Sequence, residues 1–376
     1  MSILIGGDLV PYARVESLFI SNDIERLLGS DLFEIWKKAD YRFFNLECPI
    51  TESNKTITKC GPCLKCSPST INGIKGMLPS CLFLANNHIM DYSSKGLEDT
   101  IRKLDENGVF WVGVGKNNNS LKKEFVCNCD GKKVGIYNCC EHEFSVASKN
   151  EPGSNPYDEF SIDDDIKALK CGMDYVIVVY HGGCEHYRYP SPILQKRCRK
   201  MIDFGANLVI CQHSHCVGCE EKYNGGTIIY GQGNFIFNMQ QNEYWDNSLL
   251  IELDFNDGEP RLSYIPIVQT DCGTRLADKE EGSRILEGYE KRSEKIKQEG
   301  FVENEYMKHA REKLPGYLLR MKSSFWIRIA RKFKPDMLTN SIFNCEKILN
   351  SIDCEAHREL FICGLKDNLR NKEKNG

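Results

Sequence analysis

Five times in this chain a short, nearly unbroken apolar run ends on a residue type that binds metals. SILIGG ends at Asp8, YRFFNL at Glu47, and CLFLA at Asn86, Asn87 and His88; DYVIVVY ends at His181, and NLVIC is followed by Gln212, His213, Ser214 and His215. Apolar runs of this length read as strands buried on both faces. In α/β sheets the loops that leave such strands converge above a rigid platform, so five coincidences point to one site. Taken singly, each residue has a plainer reading: Asp8 as a turn former, Asn87 as a left-handed corner, His181 as a hydrogen-bonded core histidine. The joint pattern outweighs those readings.

The spacing predicts strands at 2–7, 41–46, 81–85, 109–113, 123–128, 133–138, 174–180, 207–211, 227–230, 248–254 and 261–268. Helices are expected at 30–39, 95–107, 163–170 and 190–203, the second stopped by Gly108. Beyond about residue 275 strand-like sequence gives way to charged, helix-favouring sequence such as EGSRILEGYEKRSEKIKQEG. The chain therefore divides into a domain over 1–270 and a helical, partly basic region over 271–376. With 376 residues and 41% hydrophobic content, it has material for one large α/β core and a smaller addition.

No apolar run approaches the ~20 residues of a membrane-spanning helix, and the opening MSILIGGDLVPYARVE has no leader-like pattern. A cytoplasmic location is expected, and with it reduced thiols for the 19 cysteines. Cys60, Cys63 and Cys66 in KCGPCLKC have no second CxxC at zinc-ribbon spacing and read as free thiols in a loop.

Two carboxylates (Asp8, Glu47), one amide (Asn87) and three imidazoles (His181, His213, His215) suit a pair of borderline divalent ions, one carboxylate bridging them. Mn²⁺, Fe or Zn²⁺ are the expected identities. Glu185, in HGGCE, and the Glu141-His142-Glu143 cluster after VGIYNCC are candidates for substrate contact or additional ligation, as are Asn86 and Asn234. Gly231 and Gly233, with Asn234, read as a tight turn close to the metals, where glycine permits positive φ.

The segments GGDLV at 6–10, NLECPIT at 45–51, LANNHIMDY at 84–92, YHGGCE at 180–185, CQHSH at 211–215 and GQGNFIF at 231–237 resemble the CapA-type poly-γ-glutamate capsule-synthesis proteins. That group is similar in fold to the calcineurin-like metallophosphoesterases, and the resemblance covers roughly residues 1–270. It implies a four-layer α-β-β-α sandwich of two mixed sheets with a C-terminal helical appendage, consistent with some eleven strands being too many for one flat sheet. It also implies that Asp8 and His215 bind the first metal, Glu47 bridges, and Asn87, His181 and His213 bind the second. His88 would stand at the substrate as a catalytic group, and Asp91 would orient it. Two departures from the phosphoesterase pattern stand out: its Asp-x-His is here Asp8-Leu9-Val10, and its bridging aspartate is Glu47.

The implied function is a metal-dependent hydrolase of capsule or cell-surface polymer biosynthesis, with a phosphoester or amide bond as target. The alternative is a non-catalytic metal-binding assembly subunit of an envelope-polymer synthesis machine, consistent with a shortened first-metal ligand set. Expected partners are a surface-polymer intermediate and envelope-synthesis proteins; no nucleic acid is expected. The chain's formal charge is -4, yet residues 308–334 hold nine lysines and arginines against Glu312 alone, interleaved with Phe325, Trp326 and Ile327. This stretch reads either as a helix packed on its own domain or as a peripheral membrane contact.

Overall fold

The computed structural model describes residues 1–237, 242–255, 258–321 and 345–375, the side chains of 318–321, 345–346 and 369–375 excepted. Residues 322–334 of the basic stretch, including Phe325, Trp326 and Ile327, lie outside the described residues.

All eleven expected strands form. The largest shortenings fall at Cys81–Phe83 and Trp111–Val112, where pairing stops as the chain turns toward the site. Among the described residues they build an eight-stranded and a six-stranded sheet. The first runs in the order Gly273–Leu276, Arg261–Thr270, Asn247–Asp254, Ser2–Leu9, Tyr41–Leu46, Cys81–Phe83, Trp111–Val112, with Asn234–Ile236 pairing beside Ser2–Leu9. The second runs Glu220–Tyr223, Gly226–Tyr230, Leu208–Gln212, Tyr175–His181, Lys132–Cys140, Glu124–Cys129. Both are mixed: the first is parallel from Ser2–Leu9 to its edge at Trp111–Val112 and antiparallel from Ser2–Leu9 to its other edge at Gly273–Leu276, while the second has a parallel centre and antiparallel edges. Sequence reading missed the short strands Glu220–Tyr223, Asn234–Ile236 and Gly273–Leu276, and the two-residue pair Val114–Gly115 and Gly153–Ser154. At two to four residues these are too short for alternation to stand out, and they arise from pairing.

Strand alternation sorts side chains between layers. Ile3, Ile5, Phe43 and Phe83 of the first sheet meet Ile136, Ile177, Val179 and Ile210 of the second in one apolar seam. Leu4, Phe44 and Leu82 point the opposite way, onto Leu32 and Trp36 of the helix Ser30–Lys38 and Leu97 and Leu104 of the helix Ser93–Glu106. Val176, Val178 and Val209 likewise cover Ile166 and Leu169 of Ile162–Lys170 and Cys198 and Met201 of Pro192–Asp203. Helix, sheet, sheet and helix thus form four layers, and each fully buried Leu, Ile or Phe contributes about 1.5–3 kcal/mol. The core strands must be apolar on both faces, which is why they read as unbroken runs.

The expected helices start within two residues of their predicted positions. Ser191 caps Pro192–Asp203 by accepting from the Leu194 amide, and Gly108 stands at φ +67° just past Ser93–Glu106. After Leu276 come Lys279–Lys295, Phe301–Met321, Cys345–Asp353 and Glu355–Asn375. They lie against the sandwich: Arg292 Nε donates to Gly218 O at 2.7 Å, the Ile193 amide donates to Glu359 at 2.9 Å, and His142 Nδ1 is 2.7 Å from Glu355. Among the described residues no helix is long and apolar enough to cross a membrane.

Candidate metal centre

The two sheets present their strand ends on the same side, so ligands from each meet at the top of the seam. Asp8, Asn45 and Glu47 come from the first sheet; His181 ends a central strand of the second, and His213 and His215 follow the strand beside it. Asp8, Glu47, Asn87, His181, His213 and His215 are all buried. Two triads form, Glu47 with His181 and His213, and Asp8 with Glu47 and His215; in each, one ligand atom per residue lies within 4.8 Å of the others. Glu47 belongs to both. Asn87 joins the first triad, its Oδ1 3.1 Å from His181 Nε2, and His213 Nδ1 is 3.2 Å from that same nitrogen.

The local backbone is shaped for this convergence. His213 and His215 take positive φ, +86° and +54°, a conformation that costs a non-glycine residue about 1–3 kcal/mol and turns the two rings toward different triads. The His213 amide donates to Asp8 Oδ2 at 3.1 Å, and His215 Nδ1 lies 2.9 Å from Asn234 Oδ1. Close approach of Ser2–Leu9 to the turn at 231–234 requires glycine: a Cβ on Gly7 would stand 2.0 Å from Gly233 O.

The electrostatics are unbalanced without a cation. Both oxygens of Glu47 are buried with no hydrogen-bond partner. Burial pushes the Glu47 carboxyl upward, and burial together with the nearby Glu47 does the same to Asp8. Burial lowers His181 to about 4 and holds His213, beside His181 and His215, well below its ordinary value. Burial also opposes charge on His215, but Glu47 and Asp8 outweigh it and raise that ring. Orphaned carboxylate oxygens facing neutral imidazoles are the donor set a divalent cation takes, so these residues fit a metal pair. Asp8 and His215 would hold one ion, Asn87, His181 and His213 the other, with Glu47 between.

His88 lies just outside this set. Its Nδ1 is 2.6 Å from Asp91 Oδ2, and Asp91 in turn accepts from the Leu64 amide at 2.6 Å. Lys59, which sequence reading missed, pairs with Asp91 and lies 3.1 Å from His88 Nδ1, its side chain 2% exposed. No local pattern marks it, because it sits in an irregular loop that only the fold brings here. Asn45, also missed, donates to Asp8 Oδ1 at 2.7 Å.

The supplementary candidates divide. Asn86 is spent on the turn itself: its Oδ1 accepts from the His88 and Ile89 amides and its Nδ2 donates to Asn45 Oδ1 and Leu46 O, leaving no capacity for substrate. Asn234, fully buried, holds His215. Glu141 Oε1 is 3.8 Å from His213 Nε2, and burial followed by Glu355 and Glu143 drives its carboxyl well upward. Glu143 and Glu185 line a cavity of about 390 Å³ that also exposes Asn87 and His88. The far wall of that cavity comes from the C-terminal helices, with His309, Lys313, Tyr317 and His357. Cys60 also lines it, and Cys60, Cys63 and Cys66 carry no disulfide.

Residues 2–239 match the sequence profile described as bacterial capsule synthesis protein PGA_cap. The chain is 30% identical over 242 residues to capsule biosynthesis protein CapA of Bacillus anthracis, covering 61% of this chain and 58% of that one. It is 29% identical over 243 residues to the PGA biosynthesis protein CapA of Bacillus subtilis, covering 62% of each. The match thus spans about three fifths of the length of these relatives. Among solved structures, it is similar to a putative 5'-nucleotidase from Staphylococcus aureus with a TM-score of 0.45 and 13% identity, covering 77% of this chain and 58% of that one, a likeness too slight to carry an argument. With the profile running through Asp8, Glu47, Asn87, His181, His213 and His215 alike, the chain belongs to the bacterial capsule synthesis PGA_cap family.

Proposed function

We propose that the protein is a two-metal hydrolase that cleaves a phosphoester or amide bond in an anionic intermediate of capsule or surface-polymer synthesis. The observation that carries this reading is Glu47, shared by both triads with neither oxygen hydrogen-bonded. When bound, a metal pair there supplies a water nucleophile at neutral pH and polarises the scissile group. Asp8, Glu47, Asn87 and the three histidines would hold it. Asp91 occupies His88 Nδ1, so Nε2 is the nitrogen available to exchange a proton with the leaving group. Lys59 balances the Asp91 charge and keeps the ring oriented. Lys313 and His309, on the opposite wall, give an anionic chain a cationic and polar surface.

Envelope-synthesis proteins are the proposed partners. The test is metal content and turnover of a generic phosphodiester and of a γ-glutamyl amide by the purified chain, against Asp8→Ala and His213→Ala. Turnover that vanishes with the metal in both variants supports the hydrolase. A chain that binds metal stoichiometrically yet turns over neither substrate overturns it in favour of an assembly role.

A further inference from the structure

Apart from the two triads, three ligand types of different chemistry meet at the wall of the same cavity. Glu143, Cys354 and His357 each offer one ligand atom within 4.8 Å of the other two. Glu143 comes from the loop after the strand Lys132–Cys140; Cys354 joins the helices Cys345–Asp353 and Glu355–Asn375, and His357 lies in the first turn of the latter. Apolar contacts dock a helix without requiring a carboxylate, a thiol and an imidazole to converge on one point.

One oxygen of the cluster is also unsatisfied. Glu143 Oε2 is buried without a hydrogen-bond partner. Burial, then Glu141 and Glu143, drive the Cys354 thiol well upward, while the His357 backbone amide donates to its sulfur and favours the thiolate. Tyr317 Oη is 2.6 Å from His357 Nδ1 and fixes the ring, the kind of outer support that metal-bound histidines receive. A dication at their meeting point would satisfy the orphaned Glu143 oxygen and bind the sulfur and the imidazole nitrogen together.

We propose that Glu143, Cys354 and His357 form a third metal site, selective for zinc, that fastens the C-terminal helices to the wall of the cleft. One sulfur, one nitrogen and one oxygen donor suit a borderline-soft ion better than Mg²⁺ or Mn²⁺. Three protein ligands leave a coordination position for water or a substrate group. No residue is shared with the paired-metal centre, so this site stands or falls separately from the hydrolase reading.

Cobalt(II) distinguishes the two, because thiolate ligation produces a charge-transfer band in the near ultraviolet and the paired-metal ligands include no cysteine. The full chain, stripped by chelation and titrated with Co²⁺, is expected to show that band. Cys354→Ser should abolish it and lower bound cobalt by about one ion per chain. Asp8→Ala, and Cys60→Ser combined with Cys63→Ser, should leave the band intact. His357→Gln, at a half-buried position that tolerates a polar side chain, should weaken the band's cobalt dependence about 100-fold, and it decides the matter if Cys354→Ser does not fold. A wild-type chain without the band, a band that survives Cys354→Ser, or one lost with Cys60 and Cys63 overturns the proposal.

Discussion

Asn45 Nδ2 donates to Asp8 Oδ1 at 2.7 Å while lying 3.2 Å from His181 Nδ1, so one amide joins ligands from both sheets. Its Oδ1 is taken by Asn86. Asn45→Ala removes this support without touching a ligand. Metal affinity is expected to fall about 10–100-fold, read by competition with a fluorescent chelator, while far-ultraviolet circular dichroism stays unchanged. Unaltered affinity would show that Asp8 and His181 hold their places without it.

His88→Ala should lower turnover about 10²–10⁴-fold with metal content near normal, because His88 faces the cavity and lies outside both triads. Lys59→Met should cost less, through loss of ring orientation. Metal analysis alongside kcat separates the roles: a variant that loses metal would make His88 a ligand.

Much of this centre was legible in the primary structure because a strand buried on both faces is an apolar run, and a polar residue where it stops has few uses. Asp8, His181 and His213 all announce themselves in that way. Asn45 does not, since it sits inside YRFFNL and its role depends on the neighbouring strand. Asn86 and Asn87 look alike in sequence; only hydrogen bonding shows that the first holds the turn and the second turns to His181. Glu355, 213 residues from the His142 it meets, carries no local signal at all. Neither do His309, Lys313 and His357, whose place on the cavity wall follows from long-range helix docking.

Gly7→Ala should destabilise the fold by about 1–3 kcal/mol or more, since backbone rather than a yielding side chain blocks the added methyl. Urea denaturation of the metal-free chain measures this directly. A cost below about 0.5 kcal/mol would mean that the 231–234 turn moves aside easily.

The Glu355–His142 pair gives helix docking a pH window. Hydrogen bonding to Glu355, opposed by burial, raises His142, so its contribution is complete below the ordinary histidine value of about 6.5 and fades as pH rises through the elevated one. Glu355 is resisted by burial but lowered by its bond to His142, so its contribution is present above about 4.5 and lost in acid. Amide exchange in Glu355–Asn375 should be slowest near pH 5–6.5, after correction for intrinsic rates, and faster by pH 8. His142→Ala should erase the alkaline change.

Chelation should lower Tm, because ions that bind only the folded chain add roughly 4 kcal/mol at a thousandfold excess over Kd. Glu47→Gln should remove the share of that difference due to the paired-metal centre and leave the metal-free protein as stable as the parent or more so, since an unpaired buried carboxylate is replaced by a neutral amide. Calorimetry with and without metal measures both. A metal-free Glu47→Gln protein that melts well below the metal-free parent would mean that Glu47 has a structural partner.

The central strand Ser2–Leu9 pairs on one side with Tyr41–Leu46 and on the other with Asn247–Asp254. During synthesis its second edge therefore waits for a neighbour roughly 250 residues away, about 12–50 s at ordinary elongation rates. Through that interval a nearly all-apolar strand presents an open row of amides and carbonyls. The proposed metal centre, whose ligands run from residue 8 to residue 215, could be completed only after residue 215 has emerged from the exit tunnel.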